Sequence, residues 1–212
     1  MDYYQPLFAG EKYHIISRAT GNEKLFTEPE NYRFFLQRFD KYISPVADVF
    51  AYALLPNHFH FLVEIKSYDS LFELFKNEKN NRKTKERSSK EDHNWQPEFV
   101  MQQFSNLLNS YTKSFNKMNT RKGALFMDYI RRVQIKTNEQ FFATIFYIHK
   151  NPVHHGLCKE IEDWRWSSYN SILSKAATKI ERQKIIKEFG TTEQFISFHH
   201  QPIHLKNAVV VE

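Results

Sequence analysis

Two histidines stand two residues apart in an apolar, β-branched and aromatic run, Leu54-Leu55-Pro56-Asn57-His58-Phe59-His60-Phe61-Leu62-Val63-Glu64-Ile65. In a strand, side chains i and i+2 leave the same face. The run therefore predicts His58 and His60 side by side, with Phe59 and Phe61 packing on the other side. Two imidazoles held in parallel on a stiff strand make two-thirds of a metal site. Taken alone, a His-x-His pair is more often two half-buried histidines on an amphipathic strand, so the rest of the chain must decide.

The 212 residues are enough for one domain with a substantial core and an appendage. A 41% hydrophobic and 16% aromatic content, with 20 Phe and 11 Tyr, is globular rather than disordered. With only 5 Gly and no glycine-rich phosphate loop, a nucleotide cofactor is not expected. The net charge of +6 favours a polyanionic partner. The single Cys158 excludes an intramolecular disulfide framework and a cysteine-based zinc site. Met1-Asp2-Tyr3-Tyr4-Gln5-Pro6 has neither a basic nor an apolar signal region, and the uncharged run from Val49 to Val63 is too short to span a bilayer. A cytoplasmic protein with no membrane partner is expected.

The elements that must position the histidines follow from pattern. Tyr13 to Thr20 alternates as a first strand, closed by Gly21-Asn22. Thr27-Glu28-Pro29-Glu30 opens a helix, with Thr27 as cap and Tyr32, Phe35, Leu36 and Phe39 as its apolar stripe. Val46 to Leu55 and His58 to Lys66 read as second and third strands around the Pro56-Asn57 turn. Lys76 to Asn94 is polar and without periodicity, which predicts a mobile insertion at about 76–95. From Phe99 a helix carries Phe104, Leu107, Leu108, Tyr111, Phe115 and Met118 on one face, where Tyr111 reads as a core tyrosine with its hydroxyl at the edge. Ala124 to Ile135 reads as a fourth strand containing Arg131-Arg132. The fold class is α+β, a ferredoxin-like βαββαβ with an antiparallel sheet. Residues 1–136 form this core, and 137–212 form a C-terminal helical extension packed on it. There Thr137 caps a helix, another helix is expected from Thr178 to Glu188, and a short segment lies at Phe195–Phe198. His199, His200 and His204 read as solvated rather than as a second metal site.

Four segments resemble the REP-associated tyrosine transposases, single-tyrosine members of the HUH endonucleases. They are YHIISRATGNEKLF, LLPNHFHFLVEI, YTKSFNKMNTRKGALFMDYIRR and YIHKNPVHHGLCKEIEDWRWSSY. The last is the most diagnostic, and the match runs from about Tyr13 to Tyr169. The resemblance implies a transposase that cuts and rejoins single-stranded hairpin DNA through a 5′-phosphotyrosine, leaving a free 3′-OH. It implies Tyr111 as nucleophile, with His58 and His60 holding a divalent metal, Mg²⁺ or Mn²⁺, against the scissile phosphate. A phenol with a pKa near 10 needs such help at neutral pH. In the wider group a polar amide one helical turn past the tyrosine completes the metal site. Phe115 fills that slot here and cannot ligate. Asn116 is then the nearest amide, with Gln102, Gln103 and Asn109 as others on the same helix. Tyr129 is a runner-up nucleophile that matches no family position.

Arg18, Arg121, Lys122, Arg131, Arg132 and Lys150 flank the motifs and are the candidate DNA-binding cations. The resemblance, to members with a C-terminal extension like this one, implies a monomer over a homodimer. Two other readings stand beside the enzyme: a catalytically inactive hairpin-binding protein on the same fold, for which Phe115 is the warning, and a ferredoxin-like metal or small-molecule protein, against which the clustered cations speak.

Overall fold

In the computed structural model, which describes residues 3–82, 95–127 and 130–201, the alternating segments form four strands. These are β1 (Lys12–Arg18), β2 (Ala47–Leu55), β3 (His58–Ile65) and β4 (Arg131–Ile135). They make one sheet in the order β2-β3-β1-β4 with every pair antiparallel. Pro56-Asn57 is too short for anything but a hairpin, so Leu55 of β2 lies opposite His58 of β3. On the other side of β3, Arg18 pairs with His58 and Ile16 with His60. The end of β1 and the β2–β3 turn thus meet at one end of the sheet.

The first helix, α1 (Pro29–Tyr42), has proline in its first turn and a capping box in which Glu28 is the cap. Thr27, the expected cap, instead donates its N–H and hydroxyl to Asn31 Oδ1. Phe35 and Phe39 of α1 pack on Phe59 and Phe61, at centroid distances of 5.0 and 4.0 Å. After α2 (Tyr68–Arg82), the long α3 (Trp95–Met118) lies beside α1. It buries Phe104, Leu107, Tyr111 and Phe115. Part of the predicted insertion is therefore the end of α2. Residues 83–94 lie outside the described residues, as do Tyr129 and His204.

The other face of the sheet belongs to α4 (Asn138–His154), which packs on β2 and β3. Thr137 caps it, accepting from the Gln140 N–H. The predicted boundary after residue 136 falls between β4 and this helix. Beyond it come a 3₁₀ turn (Ile161–Asp163), α5 (Tyr169–Leu173), α6 (Arg182–Phe189) and α7 (Thr192–His199). The helix expected from Thr178 starts at Arg182, because Ile180 bridges to Val49 and the Glu181 N–H donates to the Val49 carbonyl. The fourth strand is shorter than predicted, since Ala124–Met127 makes an isolated Ala19–Phe126 bridge, with bonds from Thr20 N–H to the Leu125 carbonyl and from Met127 N–H to the Arg18 carbonyl, and not a continuous ladder.

His199, expected in solvent, is 1% exposed. Its Nδ1 donates to the Phe195 carbonyl at 2.8 Å, so its Nε2 accepts from His149 Nδ1 at 2.9 Å. His149 Nε2 in turn accepts from the Ser168 hydroxyl at 2.7 Å. This neutral relay ties α7 to α4 and the edge of β2. His200 is exposed and pairs with Glu162. Among the described residues no helix is long and apolar enough to cross a membrane.

Candidate active site

His58 and His60 leave β3 on the face opposite Phe59 and Phe61, as strand alternation requires. His60 Nδ1 lies 3.0 Å from Nε2 of His14, its neighbour on β1, and the two rings stack at 5.2 Å. That contact occupies one nitrogen of His60. Its Nε2 is buried and, among the described residues, has no hydrogen-bond partner.

Helix α4 brings two polar side chains to the same place. Tyr147 and Asn151 are four residues apart and so share one face of the helix. The Tyr147 ring stands edge-on to both His14 and His60, at 5.8 and 5.5 Å. Asn151 Oδ1 lies 3.2 Å from His58 Nε2. The remaining nitrogen of His58 faces Asn57 Oδ1 at 2.7 Å, and the His155 ring sits 5.0 Å away.

Burial, then the neighbouring His155, pulls His58 down to about 4. Burial and the neighbouring His14 hold His60 well below the usual imidazole range. Both rings are neutral at pH 7. A neutral imidazole carries one N–H, yet both nitrogens of His58 face amide oxygens. One of these contacts sets lone pair against lone pair, and either a turned-over amide or a cation between His58 Nε2 and Asn151 Oδ1 removes the conflict.

The residues present fit a divalent metal. Two ligand atoms bound at about 2.1 Å to one cation in cis positions stand roughly 3 Å apart, close to the 3.2 Å between His58 and Asn151. His60 Nε2 adds a buried, unused donor. Among the described residues no cluster of three or more His, Cys, Asp or Glu could hold a metal. A site here therefore takes its third donor from the Asn151 amide.

The structure does not bring Tyr111 to this place. Tyr111 belongs to the apolar stripe of α3, on the α1 side of the sheet, packed against Phe35, Phe115 and Phe126. Its hydroxyl donates to the Leu25 carbonyl at 2.5 Å. Burial pushes its phenol well above the ordinary tyrosine range, which suits a structural hydroxyl and not a nucleophile. Asn116 is also directed elsewhere: it donates to the Gly123 carbonyl and accepts from Arg121. Gln102, Gln103 and Asn109 share α3 with Tyr111 and so lie on that side too.

The cations divide. Arg121 is spent inside the molecule on Glu23, Asn116 and the carbonyls of Gly123 and Ala124. Arg132 donates to the carbonyls of Gln5, Tyr4 and Ile130. Arg131 lies over the Tyr3 ring at 5.7 Å, and Lys122 is exposed beside Arg121. Arg18 is exposed and paired in register with His58, and Lys150 directly precedes Asn151. These two stand at the site.

Sequence reasoning missed Tyr147, Asn151 and His14. The signal for the first two was an amide one helical turn after a tyrosine, present at Tyr147-Ile148-His149-Lys150-Asn151 and missing after Tyr111. His14 alternates with Ile15 on the first strand, but only the register of β1 against β3 sets it beside His60.

An antiparallel α+β sheet with a histidine pair on one face, closed by a tyrosine-bearing helix, is the class that fold and site define. No protein-family model matches the chain, and no curated protein matches it. Among solved structures, a REP-associated tyrosine transposase bound to a REP hairpin aligns with a TM-score of 0.53 and 14% identity, over 85% of this chain and 94% of that one. The likeness is one of fold.

Proposed function

We propose that this chain is a transposase-type enzyme that cleaves and rejoins single-stranded hairpin DNA through a 5′-phosphotyrosine, and that Tyr147 is its nucleophile. The observation that carries the reading is the meeting of Tyr147 and Asn151 with His60 and His58 on one face of the sheet. The hairpin bound to the structural neighbour supports the substrate class.

The Tyr147 oxygen attacks phosphorus as the P–O3′ bond breaks. The phenol loses its proton, the departing O3′ gains one, and the strand ends as a phosphotyrosine and a 3′-OH. Attack of that hydroxyl on the phosphotyrosine reverses the exchange and rejoins strands. His58, His60 and Asn151 would hold a divalent cation, Mg²⁺ or Mn²⁺, which when bound would draw charge from the non-bridging phosphate oxygens. His14 engages His60 Nδ1 and so keeps Nε2 for the site. A stiff helix fixes the spacing of Tyr147 and Asn151. Arg18 and Lys150 face the backbone at the rim.

One observation favours the second reading, a hairpin-binding protein that does not cut: Tyr147 is only 4% exposed. The two separate in one assay. Labelled hairpin DNA is incubated with the protein and Mn²⁺ or Mg²⁺, then run on a denaturing protein gel. The enzyme gives a covalent adduct that EDTA abolishes. Tight binding with no adduct under either metal sinks the enzyme and leaves the binder.

A further inference from the structure

A stack of aromatic and cationic side chains lies outside this site but at the same end of the sheet. The segment 164–168 runs along the free edge of β2. Trp164 Nε1 donates to the Leu54 carbonyl at 3.0 Å, the Leu54 N–H donates to the Trp166 carbonyl at 2.9 Å, and the Ser168 N–H donates to the Tyr52 carbonyl at 2.9 Å. This anchoring turns the Trp166 ring onto Tyr32 of α1, parallel to within 8° and with centroids 4.4 Å apart. Tyr32 stacks in turn on Phe26 at 4.5 Å, and the Phe26 N–H donates to the Pro56 carbonyl in the turn before His58. Phe26 and Tyr32 are buried, whereas Trp166 is half-exposed and forms the outer end of the column. Two exposed guanidinium groups lie over it, Arg165 at 4.7 Å and, at 6.0 Å, Arg33, which also pairs with Glu30 at 2.7 Å.

We infer that Trp166, with Arg165 and Arg33, is a stacking platform for an unpaired base of the DNA. The inference rests on the reading that the partner is hairpin DNA. A base has a π-face that stacks on an indole, and a guanidinium plane can close over its other side while meeting the adjoining phosphate. A pre-stacked and backbone-anchored Trp166 has little freedom left to lose when a base arrives. Placement agrees with this. Trp166 pairs with Leu54, and Leu54 pairs with Phe59, the residue between the two histidines. Two strand spacings, roughly 10 Å, separate its backbone from β3. Its ring stands on the α1 side of the sheet, whereas the histidines face α4. The platform therefore holds a base in the single-stranded flank a few nucleotides from the scissile phosphate, not the nucleotide being cut.

The test compares two probes by fluorescence anisotropy, a hairpin with a short unpaired flank and the same hairpin with blunt ends. The wild type binds the flanked probe more tightly. Trp166→Leu loses on the order of tenfold on that probe, the worth of one base stack, and nothing on the blunt one. Trp166→Phe keeps most of the preference, and Arg165→Gln on the exposed surface loses a few-fold on the flanked probe alone, which tests the platform without disturbing the packing under Trp166. Unchanged affinity of Trp166→Leu and Arg165→Gln for the flanked probe overturns the platform, as does an equal loss on both probes. If the wild type binds neither probe, the DNA reading itself fails and takes the platform with it.

Discussion

The two faces of this sheet are built from alternate residues of the same strand and do opposite things. Phe59 and Phe61 point into an aromatic layer with Phe35, Phe39 and Tyr111, where the Tyr111 phenol is closed off on a backbone carbonyl. His58 and His60 point into a polar layer, half-buried at His58 and buried at His60, with His14, Tyr147 and Asn151 gathered around them. Burial on the first face is ordinary core packing. On the second it leaves His60 Nε2 without a hydrogen-bond partner among the described residues. Unsatisfied groups of that kind are costly in a fold that has no use for them. The contrast sets a phenol closed off on a carbonyl against one that meets two imidazoles, two different surroundings for the same side chain.

The sharpest way to break the contrast is to exchange the two phenols for phenyl rings. Tyr147→Phe is expected to lower the rate of strand cleavage about a thousandfold or more, as loss of a nucleophile does, while Tyr111→Phe stays within a few-fold of wild type. Cleavage rates on the same hairpin substrate decide it, and the reverse pattern moves the active site to the aromatic face. Next in size is the metal. Asn151→Ala should weaken Mn²⁺ binding by on the order of a hundredfold in an electron paramagnetic resonance titration, and Asn116→Ala should leave it unchanged. Equal losses in both would show that Asn151 is no ligand.

The His149–His199 relay, behind the polar layer on α4, also carries a pH signature that the aromatic layer cannot. Burial holds His199 at about 4 and His149 well below the normal imidazole range. Between about pH 6.5 and 4, the unfolded chain binds protons on these groups that the folded chain refuses. Stability is therefore complete above the unfolded value of about 6.5 and declines as pH falls towards 4, with His199 alone contributing about 3 kcal/mol. Thermal melts in EDTA should show the midpoint falling across that window, and a flat profile would mean that the relay is not held neutral. The smallest effect belongs to the aromatic face: Tyr111→Phe deletes one buried hydrogen bond and should cost about 1 kcal/mol in urea unfolding. A larger loss would mean that its hydroxyl holds more than the Leu25 carbonyl.

Much of this was legible before any coordinates. Period-two alternation put the histidines on one face and the phenylalanines on the other, and hairpin chemistry at Pro56-Asn57 set their position at the end of β3. What misled was the helix bearing Tyr111. Its Phe104, Leu107, Tyr111, Phe115 stripe is a packing face, and the same alternation that pairs the histidines turns Phe59 and Phe61 towards it. Both crossover helices cover one side, so the histidines await a helix from after β4, and that helix carries Tyr147 and Asn151. Phe115 fills the slot one helical turn past Tyr111, whereas the slot past Tyr147 holds the Asn151 amide. The role of His14 and the His149–His199 relay depend on register and on contacts between residues 46 and 50 apart in the chain, which no local pattern encodes.

The most direct test is to find the residue that carries the DNA. Adduct formed with wild-type protein and Mn²⁺ is digested with protease and nuclease, and the peptide bearing the nucleotide remnant is sequenced by mass spectrometry. The account predicts the remnant on Tyr147. A remnant on Tyr111 would contradict it and would require the aromatic core around that residue to open during the reaction.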